Sequence, residues 1–165
     1  MSRRLVAIIL LAVAAAVGGS SLRDALDGGA DAGGSSSAVV ARVVDGDTIV
    51  LRGGERVRYI GMDTPESVKP GTPVQCYAKA ASHENERLVE GERVRLRYDA
   101  ERTDRYGRTL AYVYRARDGL FVNAELVRRG YARQLTIPPN VAHSDLFRRL
   151  ASRARAHSRG LWRAC

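Results

Sequence analysis

Lysine is almost missing from this chain. All but two of its 27 basic residues are arginine, the exceptions being Lys69 and Lys79. Cysteine is as sparse, with Cys76 and Cys165 alone, and the histidines His83, His143 and His157 are scattered over helical or surface stretches. No apolar run reaches the roughly 20 residues that a spanning helix needs; residues 5–17 form an unbroken run that falls short. There are no internal repeats.

What is present begins with an ordered N-terminus. Ser2-Arg3-Arg4 is positive, residues 5–17 are apolar, and Gly18-Gly19-Ser20-Ser21 are small. Charge, apolar stretch and small residues in that order read as a secretory signal over residues 1–19, with an uncleaved membrane anchor as the alternative. Arg3-Arg4 is a weak hint of a twin-arginine route. Residues 20–37 are rich in Gly, Ser, Ala and Asp without apolar periodicity, which predicts a flexible linker. The folded domain is then expected over residues 38–165, long enough for a core.

The formal net charge is +9. Arg3, Arg4 and Arg23 balance Asp24, Asp27 and Asp31, so the excess falls on the domain. Arginine stays charged and can grip a phosphate with two parallel hydrogen bonds. Such a domain favours polyanions, DNA and RNA among them; the plainer reading is a solvated basic surface. Two cysteines in an exported chain can pair, and a Cys76–Cys165 disulfide would pin the C-terminus to the loop before the first helix. The alternative is two free thiols.

Strands are expected over residues 39–44, 48–52 and 55–62, the first pair joined by the turn signal Asp45-Gly46. Pro70, Gly71 and Pro73 mark a loop. Residues 77–90 read as a helix ended by Gly91. Residues 92–98 alternate strictly: Arg93, Arg95 and Arg97 on one face, Val94, Leu96 and Tyr98 on the other. A fifth strand is expected over 108–114, and helices over 123–129, with Gly130 as C-cap, and over 144–158. This order predicts an α+β fold, a five-stranded Greek-key barrel of the oligonucleotide-binding (OB) type with three helices.

Three segments hold chemistry: Asp45-Gly46-Asp47-Thr48; Arg58 with Asp63-Thr64-Pro65-Glu66; and Asp104-Arg105-Tyr106-Gly107-Arg108. Each alone is explained as a turn. All lie at strand ends, where a barrel brings distant segments together. Asp47 and Asp63 are hard oxygen donors that suit Ca²⁺ or Mg²⁺. No cysteine or histidine joins them, which argues against zinc. Arg58 and Arg108 can clamp a phosphate, and Glu66 can take a proton from an attacking water.

These segments together resemble the staphylococcal nuclease (thermonuclease) family. The matching runs are Val43-Val44-Asp45-Gly46-Asp47-Thr48, Arg58 followed by Asp63-Thr64-Pro65-Glu66, and Arg102-Thr103-Asp104-Arg105-Tyr106-Gly107-Arg108, then residues 122–130 and Gly160-Leu161-Trp162. The resemblance implies calcium-dependent cleavage of DNA and RNA at the P–O5′ bond, leaving 3′-phosphates. It implies that Asp47, Asp63 and the Thr64 carbonyl hold Ca²⁺, that Arg58, Glu66 and Arg108 are catalytic, and that Tyr106 contacts a substrate phosphate. Single-stranded or frayed regions are the expected substrate, outside the cell or on the envelope side of the membrane. Nothing calls for an obligate protein partner or oligomer.

The chain departs from the family at Leu135-Thr136-Ile137, where tyrosines are expected and none stands, so base stacking there is in question. A second departure is the start of the first helix, Tyr77-Ala78-Lys79-Ala80-Ala81-Ser82, read as structural. Trp162 is expected as a core plug, and the Arg-rich last helix as a solvated face that adds non-specific attraction for nucleic acid. The competing function is a non-catalytic OB-type binding module; a membrane-tethered adaptor is a third.

Overall fold

The computed structural model describes residues 34–67, 71 and 73–165. The expected signal, and the linker up to residue 33, lie outside the described residues. Among the described residues no helix is long and apolar enough to cross a membrane.

Five strands close a barrel: β1 (Ser35–Asp45), β2 (Thr48–Leu51), β3 (Arg56–Tyr59), β5 (Arg93–Arg97) and β6 (Thr109–Arg115), in the order β1-β2-β3-β6-β5. Closure comes from the length of β1. Its first half pairs with β5 and its second half with β2, with register shifts between Val40 and Arg42 and between Val43 and Asp45. Such irregularities bend a strand from one neighbour to the next. The ring is completed by the parallel pairing of β3 with β6. Alternation then fills the interior. On β5, Val94 and Leu96 are fully buried while Arg93, Arg95 and Arg97 face out.

Helix α1 (Ala78–Val89) packs Leu88 and Val89 into the core, and α2 (Val122–Arg129) packs Val122, Leu126 and Val127. Gly130 caps α2 in the left-handed region, as its sequence position predicts. Helix α3 (Ser144–Ala156) buries Phe147, and a short α4 (Leu161–Ala164) leads to Cys165. Buried Asn123 stitches α2 to the barrel: its amide donates to the Ile60 and Ala111 carbonyls at 3.0 and 3.3 Å, and its oxygen accepts the Val113 amide at 2.9 Å.

The structure therefore has the expected α+β barrel of the OB type, with differences at element ends. β1 starts at Ser35, so Ser35–Ser37 of the expected linker pair with β5. The expected strand over 55–62 is two, β3 and the short β4 (Met62–Asp63), which pairs with β7 (Arg133–Gln134). Gly61 separates them with a left-handed φ of 84°. A side chain there would collide with Phe147, whose ring lies 2.2 Å from where a Cβ would stand. Cys76 and Cys165 are disulfide-bonded with their Cα atoms 5.9 Å apart. Trp162 is half-buried between Arg133 and Arg155, whose guanidinium carbons lie 5.8 and 5.6 Å from its ring, outside the main core. His143 is no plain surface residue: it packs edge-on against Tyr112 at 4.5 Å.

Candidate active site

The β1–β2 turn supplies Asp45 and Asp47, β3 supplies Arg58, the chain through β4 supplies Asp63, Thr64 and Glu66, and the loop before β6 supplies Tyr106 and Arg108. These residues line one cleft of about 770 Å³.

Arg58 is its hub. Its Nη2 donates to Asp63 Oδ1 at 2.7 Å, and its Nη1 pairs with Asp47 Oδ1. Asp47 is only 2% exposed, and a carboxylate so placed requires partners. Its Oδ2 accepts the Thr64 amide at 2.9 Å and the Thr64 hydroxyl at 2.8 Å; Oδ1 also accepts the Thr48 hydroxyl at 3.1 Å. Thr64 is thereby locked to the β1–β2 turn. Asp63, by contrast, is exposed, with Arg58 on one oxygen. Among the described residues no group of three or more acidic, Cys or His side chains converges as metal ligands; Arg58 holds the space between the two aspartates.

Glu66 is fixed through its backbone. Its amide donates to the Gln75 side-chain oxygen at 2.9 Å, and its carbonyl accepts the Gln75 amide at 2.9 Å. Asp45 accepts the Asp47 amide at 3.0 Å. Burial pushes the Asp45 carboxyl above the usual carboxylate range, the Arg58 charge opposes this, and the Glu66 charge adds to it. Burial thus sets the direction, since the Arg58 charge acts on Asp45 more strongly than the Glu66 charge does.

Arg108 lines the same cleft but is turned to Asp104, donating from Nε to Oδ2 at 2.7 Å. Asp104 also accepts the amides of Tyr106 at 2.9 Å and Arg108 at 3.0 Å, which shapes the loop. Burial alone would raise the Asp104 pKa; these hydrogen bonds bring it below the usual range. The Tyr106 ring is 68% exposed, with Arg105 and Arg108 at 4.8 and 5.4 Å from its centre. A smaller groove of about 190 Å³ shares Arg58 and Arg108 and runs past Met62, Leu110, Leu135 and Ile137. The residues standing where tyrosines were expected thus border the cleft with aliphatic surface.

Three residues of the site were not singled out from the sequence. In sequence Asp45 reads as a turn former, Asp104 as part of a hairpin loop, and Gln75 as the end of the loop that Pro70, Gly71 and Pro73 mark. Only Asp104 had a local signal, its spacing of four from Arg108.

Residues 56–164 match the family described as staphylococcal nuclease homologue. The chain is 47% identical over 129 residues to a thermonuclease of Staphylococcus intermedius, covering 76% of each. It is 41% identical over 126 residues to a thermonuclease of Staphylococcus hyicus, covering 74% of this chain and 73% of that one. It is 40% identical over 126 residues to endonuclease YncB of Bacillus subtilis, covering 73% of this chain and 59% of the relative. On the family match and these identities, the chain belongs to the staphylococcal nuclease family.

Proposed function

We propose that this protein is an exported, calcium-dependent nuclease that hydrolyses DNA and RNA at the P–O5′ bond and leaves 3′-phosphates. It is a hydrolase of nucleic-acid phosphodiester bonds, the class to which its thermonuclease and endonuclease relatives belong by name. One observation carries the reading: Arg58 lies between the carboxylates of Asp47 and Asp63 in a cleft that Glu66 and Arg108 also line.

The donor set fits a hard cation. Asp47, Asp63 and the Thr64 carbonyl offer oxygen only, and acids outnumber bases around Arg58. When bound, calcium supplies positive charge to the scissile phosphate and the attacking water. Arg58 commits two N–H groups to aspartates and retains three of its five donors for a phosphate. Arg108, aimed by Asp104, meets the charge that grows on the phosphate oxygens. The Glu66 carboxylate accepts the proton of the water whose oxygen attacks phosphorus. The P–O5′ bond then breaks, and the 5′ oxygen leaves with a proton from solvent. Tyr106, exposed at the rim, donates to a neighbouring phosphate.

The Cys76–Cys165 bridge supports export, because such bonds persist in oxidising compartments. The test is digestion of single-stranded DNA and RNA by the purified protein with calcium and with chelator. Cleavage only with calcium, giving 3′-phosphate ends, is expected. Undiminished cleavage in chelator, or 5′-phosphate ends, would overturn the reading.

A further inference from the structure

The outer wall of β5 carries Arg93, Arg95 and Arg97 in a row, and the cleft does not use them. Alternate residues of a strand lie about 6.8 Å apart on one face, close to the phosphate repeat of an extended single strand. On β1, the residues opposite Arg97 and Arg95 are Ser35 and Ser37, too small to cover them. Arg93 and Arg95 make no ion pair or side-chain hydrogen bond among the described residues. Helical arginines behave differently: Arg87, Arg128 and Arg148 each grip an acid three residues away. Among the described residues three acids on this side of the barrel are engaged elsewhere, Glu92 with Arg117, Asp118 with Arg115, and Asp99 with the Tyr112 hydroxyl and the Ala142 amide.

The row also leads somewhere. β5 ends at Arg97, and the chain continues through Arg102 and Arg105 to Tyr106 and Arg108 at the cleft. Arg102 lies over the Tyr98 ring at 4.6 Å, and Arg105 donates to the Tyr106 hydroxyl at 2.7 Å. Thr103 bridges to Thr109 at the start of β6, which keeps this loop on the barrel end where β5 stops.

We infer that Arg93, Arg95 and Arg97 form a track for the phosphate backbone of a single strand whose scissile bond lies in the cleft. This rests on the nuclease reading. The track adds affinity for long strands and nothing to the chemical step, since it contacts phosphates remote from the reacting one.

The experiment compares the full chain with the R93S/R95S double variant and with R148S/R149S, which removes the same charge from α3. Binding of a long single-stranded oligonucleotide is followed by fluorescence anisotropy in chelator across a salt series. Cleavage of that oligonucleotide and of a trinucleotide confined to the cleft is followed in calcium. For R93S/R95S, KM on the long strand should rise about five- to tenfold with kcat unchanged, while trinucleotide kinetics stay at the parent values. Its slope of log affinity against log salt should be shallower by about 1.4, at roughly 0.7 per lost phosphate contact. R148S/R149S, which removes only long-range attraction, should change both far less. Equal KM changes on the two substrates, an unchanged slope, or the same loss in R148S/R149S would overturn the track. So would parent KM values alongside lost binding to phosphatidylserine vesicles, which would make the row a membrane contact. A parent that neither binds nor cuts would instead sink the nuclease reading beneath it.

Discussion

Gln75 holds Glu66 at two points, accepting its amide at the side-chain oxygen and donating its own amide to the Glu66 carbonyl, each at 2.9 Å. The next residue, Cys76, is bonded to Cys165, so this grip is anchored to the C-terminus. Gln75→Ala removes the side-chain half of the grip, a bond worth about 1 kcal/mol, or about fivefold. The expected outcome is a kcat lowered by about that factor with KM little changed. Steady-state kinetics check it; a change in KM alone would make Gln75 a substrate contact.

Gly46 lies against Thr64. A Cβ at that position would stand 2.6 to 2.8 Å from the Thr64 side chain, and the Thr64 hydroxyl and backbone amide each donate to buried Asp47. Gly46→Ala must therefore displace the Thr64 peptide. A calcium-activation midpoint raised about tenfold is expected, since such supporting contacts are worth about 10- to 100-fold in metal affinity. Thermal melting with and without calcium separates this from a general loss of fold.

The Cys76–Cys165 bridge spans 89 residues. In the chain-entropy treatment a loop of that size stabilises by about 4–5 kcal/mol. The C76S/C165S double variant should melt more than 10 °C below the parent, and the parent should fall to the same value in reductant. A variant melting within a degree or two of the parent would show that the helices hold the C-terminus unaided.

Acid should weaken the fold through named pairs. Hydrogen bonding from Arg115 lowers the Asp118 pKa to about 2, and Arg128 lowers that of Glu125. Both carboxylates titrate lower when folded than when unfolded, so their stabilisation is complete above about pH 5 and is lost as pH falls through the folded values. Asp118→Asn should melt below the parent at pH 7, and the gap should close toward pH 2. A gap constant over that range would remove the pair from the acid response.

Much of this was legible in residue order because it is local. The alternation of β5, the Asp45-Gly46 turn and the Gly130 cap each depend on neighbours a few residues away, and each forms where expected. The misplaced boundaries depend on distant partners. Ser35–Ser37 become strand only because β5 offers them an edge, and the strand after Arg56 breaks because Gly61 must clear Phe147 of α3. In the cleft, residue type pointed to Asp47, Arg58, Asp63, Glu66 and Arg108 as groups with reactive or charged ends. It did not point to Gln75 or Asp104, whose work is to aim other side chains. Nor did it show that Arg58 bridges both aspartates, a relation that exists only once β2, β3 and β4 converge.

If the Glu66 carboxylate takes the proton of the attacking water, its loss is felt in the chemical step and not in binding. The most direct measurement is single-turnover cleavage by Glu66→Gln in saturating calcium, paired with its oligonucleotide affinity in chelator. A rate about 100-fold or more below the parent is expected, with affinity within about twofold. Parent-like turnover, or a loss of affinity that accounts for the whole loss of rate, would contradict it.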